Sequence, residues 1–206
     1  GGTRVAASPG QASRGRAASA RIPARDPCRG CAAMRLLVVG GTRSGKSAFA
    51  QRWAERRASS RLYVATCRAE DAEMATRIQL HREQRGAGWS CLEEPARLPE
   101  ALQEACAAPY PPGVLLLDCV GLWISNLMGD GLGPDAVRDR VEALALWLEN
   151  AFLPVAVVSP ECGLGLVPMH PVARAYRDAL GLANQRLAQA CDAVVFVACG
   201  LPLVLK

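Results

Sequence analysis

Five short apolar runs punctuate the chain: MRLLVV (34–39), RLYVAT (61–66), VLLLD (114–118), VAVVS (155–159) and AVVFVA (193–198). Each is continuous rather than alternating. A strand with one wet face alternates apolar with polar residues, whereas a strand covered on both faces has no reason to. Helical periods fill the intervals, near 46–57, 69–85, 97–107, 135–150 and 172–190. Pro134, followed by Asp135, and Pro171 mark helix starts, because proline's fixed φ and missing N–H cost nothing in a first turn. Strand–helix alternation with connections of this length predicts an α/β fold, a mainly parallel sheet with helices on both faces. GLPLVLK (200–206) predicts a short edge strand. No internal repeat is visible, and no apolar run reaches the length of a membrane span.

The pattern is absent from residues 1–33, which are rich in Ala, Arg, Ser, Gly and Pro. Such a segment cannot bury enough surface to offset its ordering entropy, so it reads as a disordered leader ahead of a domain over 34–206. Two origins are open: an organelle transit peptide, or sequence upstream of a true start at Met34. The second is favoured because strand-like residues begin there at once.

Charge changes the picture only through this leader. The formal net charge is +5, but residues 1–33 carry six arginines against the single acid Asp26. From Met34 onward the chain has 18 basic and 18 acidic residues. A neutral body gives no electrostatic footprint for nucleic acid. Of nine cysteines, only Cys28 and Cys31 form a C-x-x-C, and the two histidines supply no zinc spacing. The other cysteines fall mostly in apolar segments, as small buried residues would, which predicts a reducing, cytoplasmic setting without a disulfide framework.

The chemistry begins at Gly40-Gly41-Thr42-Arg43-Ser44-Gly45-Lys46-Ser47, which fits G-x-x-x-x-G-K-[ST] between a buried-type strand and a helix. The glycines let successive N–H groups converge on phosphate oxygens at a helix N-terminus. The Ser47 hydroxyl is placed for Mg²⁺. Lys46 is one of only two lysines beside 22 arginines. A slim stem with a compact ammonium can lie against β- and γ-phosphates where a planar guanidinium does not fit. A P-loop also needs an acid for the metal's water shell at the end of another buried strand, and VLLLD puts Asp118 there. A regulatory GTPase is disfavoured, since its N-K-x-D guanine motif cannot be built around Lys46 or Lys206.

AEDAEMATRIQLHREQR (69–85) carries Met74, Ile78 and His81 on one helical face. Periodicity alone favours an amphipathic helix with its histidine packed at the core's edge. The alternative is a neutral imidazole acting as a nucleophile at phosphorus, with Arg82 and Arg85 holding a triphosphate. His170, in VPMHP, reads as a surface loop residue.

GGTRSGKS, YVAT, E-M-x-x-R-I-x-x-H, W-x-x-x-E at Trp89 to Glu93, LLLDCVGLWISNLM, ECGLGLVP and R-D-x-x-G-x-x-N-Q follow one another along residues 34–206. In that order they resemble the bifunctional adenosylcobinamide kinase and adenosylcobinamide-phosphate guanylyltransferase family of cobalamin biosynthesis. The resemblance implies a RecA-like P-loop NTPase fold, with Lys46 serving the kinase and His81 the residue guanylylated. Nucleotide contacts are implied at Gly40 to Ser47, at Ala65, Thr66 and Cys67, at Arg82, Glu83, Gln84 and Arg85, and at Glu93 and Asp118. It further implies Mg²⁺ at Ser47 and Asp118, ATP or GTP as phosphoryl donor, a corrinoid acceptor and a homotrimer. One position departs: where the family usually has N-E-V-G, this chain has Pro160-Glu161-Cys162-Gly163, and proline removes a backbone donor. The rival readings are a P-loop kinase for another small-molecule hydroxyl with His81 structural, and a non-enzymatic RecA-like module.

Overall fold

The computed structural model describes residues 34–68 and 88–206. The leader and the helix expected over 69–85, with His81, Arg82, Glu83, Gln84 and Arg85, lie outside the described residues. The elements are β1 (Arg35–Gly40), α1 (Lys46–Glu55), β2 (Arg61–Ala65), β3 (Trp89–Glu93), α2 (Leu98–Ala107), β4 (Val114–Asp118), α3 (Val120–Gly129), α4 (Pro134–Glu149), β5 (Val155–Pro160), α5 (Pro171–Ala190), β6 (Ala193–Ala198) and β7 (Leu201–Val204).

The seven strands form one sheet in the order β3-β2-β4-β5-β1-β6-β7. All neighbours are parallel except β6 and β7, which close an antiparallel hairpin. Two residues turn that hairpin, Cys199 at φ 52 and Gly200 at φ 77, the left-handed pair that suits the twist of adjoining strands. One strand, β5, separates β1, which carries the phosphate loop, from β4, which ends in the acid.

The unbroken apolar runs are explained by what covers them. Leu37 and Val39 point into a cluster with α2, α3, α4 and α5, while Leu36 and Val38 point the other way, onto Phe49, Ala50 and Trp53 of α1. Both faces are thus covered, and burying each such side chain contributes about 1.5–3 kcal/mol. On α4 the stripe Val137, Val141, Leu144, Ala145 and Leu148 follows the helical period and is buried.

Two elements depart from expectation. WSCLE forms β3, an edge strand that is half exposed and so lacks an apolar signature. VGLWISNLMG forms α3, separated from β4 by Cys119 alone, with Trp123 wholly buried and its indole N–H donating to the Ala96 carbonyl at 2.7 Å. The expected burial of cysteines also needs correction. Of those described, Cys191 is buried while Cys91, Cys162 and Cys199 are exposed, because they sit on an edge strand, a loop and a hairpin tip. Among the described residues no helix is long and apolar enough to cross a membrane.

Candidate functional site

The phosphate loop is shaped by what lies against it. Gly40 ends β1 between two neighbours, Pro160 of β5 and Val197 of β6. A Cβ at Gly40 would stand 2.5 Å from the Val197 carbonyl oxygen and 2.7 Å from Ser44 Oγ, so only glycine lets the chain turn there. The chain then passes through Arg43 at φ 56 and Gly45 at φ 96, and α1 opens at Lys46. The Ser44 N–H donates to the Gly41 carbonyl at 3.2 Å.

The first turn of α1 has no side-chain cap and no acidic residue. Its free N–H groups and the positive end of the helix dipole therefore face the loop. The Lys46 ammonium donates to the Gly41 carbonyl at 3.2 Å. Ser44 Oγ is buried and has no partner among the described residues. A buried hydroxyl without a partner costs free energy, and a phosphate oxygen within the loop is one group that would satisfy it.

A brace comes from the far end of the chain. The Gly200 N–H donates to the Ser44 carbonyl at 2.8 Å, and a Cβ on Gly45 would meet the Gly200 Cα at 3.2 Å. A side chain at Gly200 itself would meet nothing within 4 Å, so its substitution costs backbone strain alone. Gly200→Val is expected to cost about 1–2 kcal/mol, to lower the melting temperature, and to raise the Kd for nucleoside triphosphate. Gly200→Asn, which tolerates a positive φ, is expected to retain most of both. Thermal denaturation beside nucleotide titration checks this.

Of the other predicted positions, those among the described residues meet at the same end of the sheet. Ala65 lies in register with Asp118 on one side and Glu93 on the other, so the ends of β3, β2 and β4 form one row. Tyr63, buried on β2, donates its hydroxyl to Asp118 Oδ2 at 3.1 Å, which fixes the carboxylate. Thr66 is fully buried. Its hydroxyl donates to the Cys119 carbonyl at 2.8 Å and accepts from the Cys119 N–H at 3.0 Å, so it holds the end of β4. Asn126 of α3 ties this row to the segment after β3, donating to the Thr66 and Pro95 carbonyls at 2.7 and 3.0 Å. Cys67 follows, half-buried.

Burial chiefly, with Asp118 beside it, pushes the Cys119 thiol up to about 11. It stays protonated at neutral pH and is no nucleophile. Tyr63, Asn126 and Gly200 had no local signal in the sequence. Their partners are 55, 60 and 156 residues away.

Pro160 forfeits no ladder bond to β4. The last β4–β5 pair is Asp118 with Val158, so the proline nitrogen faces past the end of β4, where no strand carbonyl waits for it. Its ring occupies the space that a side chain at Gly121 would need. Asn184, of the R-D-x-x-G-x-x-N-Q stretch, donates to the Pro160 carbonyl at 3.1 Å and bonds the Ser159 hydroxyl at 2.5 Å. Directly after Pro160, the Glu161 N–H donates to the Gly40 carbonyl at 3.0 Å, which ties the start of the loop to β1. His170 is exposed at the N-cap of α5.

Known proteins resemble this arrangement along nearly its whole length. The family model described as cobinamide kinase / cobinamide phosphate guanyltransferase matches residues 36–205. The bifunctional adenosylcobalamin biosynthesis protein CobP of Pseudomonas aeruginosa is 40% identical over 173 residues, 84% of this chain and 98% of that protein. The proteins CobU of Escherichia coli and of Salmonella typhimurium, with the same description, are each 35% identical over 185 residues, 84% of this chain and the whole of each relative. A glycine-cradled phosphate loop, an acid one strand removed, a family match over residues 36–205 and relatives matched over 84% of the chain lead to one conclusion: the chain belongs to the cobinamide kinase / cobinamide phosphate guanyltransferase family.

Proposed function

We propose that this protein phosphorylates the aminopropanol hydroxyl of adenosylcobinamide and then transfers GMP from GTP to the resulting phosphate, by way of a guanylyl-histidine at His81. The reading is carried by the phosphate cradle, with its buried, unpartnered Ser44 hydroxyl, in a chain of this family.

In the kinase half, the loop amides and Lys46 hold the β- and γ-phosphates of ATP or GTP. The substrate hydroxyl oxygen attacks the γ-phosphorus, the bond to the bridging oxygen breaks, and the nucleoside diphosphate leaves. Charge developing on the transferring oxygens meets donors already aimed at it, so little reorganisation is needed. Ser47 and Asp118 would hold Mg²⁺, the acid through water; among the described residues no cluster of three His, Cys, Asp or Glu forms a protein cage. When bound, the ion would neutralise charge developing on the phosphate oxygens.

In the transferase half, a ring nitrogen of His81 attacks the α-phosphorus of GTP and pyrophosphate leaves. A phosphate oxygen of adenosylcobinamide phosphate then attacks the same phosphorus, the P–N bond breaks with its electron pair returning to the imidazole, and adenosylcobinamide-GDP results. Two displacements replace one, each with a positioned nucleophile. Incubation with GTP and Mg²⁺ is expected to add one acid-labile GMP, seen by intact mass and mapped to the peptide holding His81. GTP bound without any mass gain would overturn the covalent step.

A further inference from the structure

Among the grooves outside the phosphate site, one starts beside it. It lies between α3 and the first turns of α5, has a volume of about 600 Å³, and is lined by Ser125, Met128, Leu132, His170, Val172 and Tyr176 among others. Both walls start where the phosphate site ends. α3 begins two residues after Asp118, and α5 follows the loop that leaves β5 at Pro160. At the back, the Tyr176 hydroxyl stands 2.9 Å from where a Cβ on Gly121 would be, so the rear wall of the groove packs directly on the start of α3.

The loop beside the groove carries Leu164, Leu166, Val167 and Met169, with Leu166 97% and Met169 96% exposed. These side chains are held outward. The Arg177 guanidinium donates to the carbonyls of Gly163, Gly165 and Leu166, and that of Arg174 to those of Pro168 and Met169. A tethered, exposed apolar strip beside a cavity of ligand size marks a binding surface.

Charge selects the occupant. Among the described residues no Asp, Glu, Lys or Arg lines the groove, and Asp130 at its α3 end is neutralised by a two-pronged pair with Arg68. Burial pushes the Tyr176 phenol up to about 12, so it stays neutral and able to donate. Such a lining suits a large uncharged rim of methyl and amide groups and offers nothing to a second polyphosphate.

We infer that the α3–α5 groove seats the corrinoid acceptor. An edge of the macrocycle lies on Met128, Leu132 and Val172 under the apolar loop. Ser125, His170 and Tyr176 meet its amides, and its hydroxyl-bearing arm points along the start of α3 toward Lys46 and Asp118. This rests on the function proposed above.

Two surface substitutions test it. Val172→Asp puts a charge on the wall at an exposed position in the first turn of α5, where an acid suits the helix. Gly129→Trp fills the groove from a position where a Cβ meets nothing within 4 Å. Each is expected to raise the KM for adenosylcobinamide about ten-fold or more, with the Kd for GTP and GTP-dependent GMP attachment unchanged. Leu182→Asp, exposed elsewhere on α5, is expected to leave all three unchanged. An unaltered KM in both variants overturns the seat while the transferase reading stands. Failure of the unsubstituted protein to phosphorylate adenosylcobinamide overturns that reading and the seat with it. A changed subunit count in the variants, by light scattering, would make the groove a contact between copies and overturn the seat.

Discussion

Asparagine in place of His81 is expected to abolish guanylyl transfer, by on the order of 10⁴-fold or more, the scale on which deleting a covalent nucleophile acts. Kinase turnover is expected to stay within a few-fold. The asymmetry follows from which phosphorus each step uses. In the proposed mechanism the kinase step acts at the γ-position, above Lys46 and the loop amides, and needs no imidazole. The proposed transferase step acts at the α-position and needs a nitrogen lone pair that an amide lacks. Phosphorylation of adenosylcobinamide and formation of adenosylcobinamide-GDP, measured separately on one preparation, check this. Equal loss of both activities in a folded protein would mean that His81 serves the structure, and that the division of labour is wrong.

The second large effect is at Lys46. Lys46→Ala is expected to lower kinase kcat by about 10²–10³-fold, as removal of one preorganised charge-stabilising donor does. The melting temperature is expected to move little, because the ammonium's hydrogen bond in the structure goes to the carbonyl of its own loop, Gly41. Lys46→Arg is not expected to rescue turnover: a guanidinium keeps the charge but is planar and wider than an ammonium on a slim stem. Steady-state kinetics with a nucleotide-binding isotherm for each variant separates lost catalysis from lost binding. A kcat within ten-fold of the unsubstituted enzyme in Lys46→Ala would remove the loop from the chemistry.

What could be read from the chain and what could not divide along physical lines. β1, β2, β4, β5 and β6 were visible because each is sandwiched between helices and apolar throughout. β3 was not, because an edge strand exposing Ser90, Cys91 and Glu93 carries no such signature. α3 was hidden by its neighbour: VLLLD runs into CVGLWISNLM with only Cys119 between strand and helix, so two periods merge into one apolar stretch. The phosphate loop was legible because its eight residues are contiguous and each has a chemical reason. The groups that support it were not. Tyr63 looks like one more core aromatic on a strand, and Gly200 like one more turn glycine, until folding sets one against Asp118 and the other against Ser44. Proline at 160 read as a disturbance because its effect depends on whether a neighbouring strand carbonyl waits for its N–H, and β4 has already ended there.

The hairpin between β6 and β7 has a consequence in time. The phosphate loop is synthesised early, yet the amide that steadies Ser44 belongs to Gly200, about 155 residues later. A nascent chain still lacking its last strands holds every residue of the nucleotide motif but not the assembled cradle. Competence to grip a triphosphate is therefore delayed until β6 has joined β1 and the chain has turned back on itself. A chain cut short before Cys199 should keep the signature of the site and lose its grip.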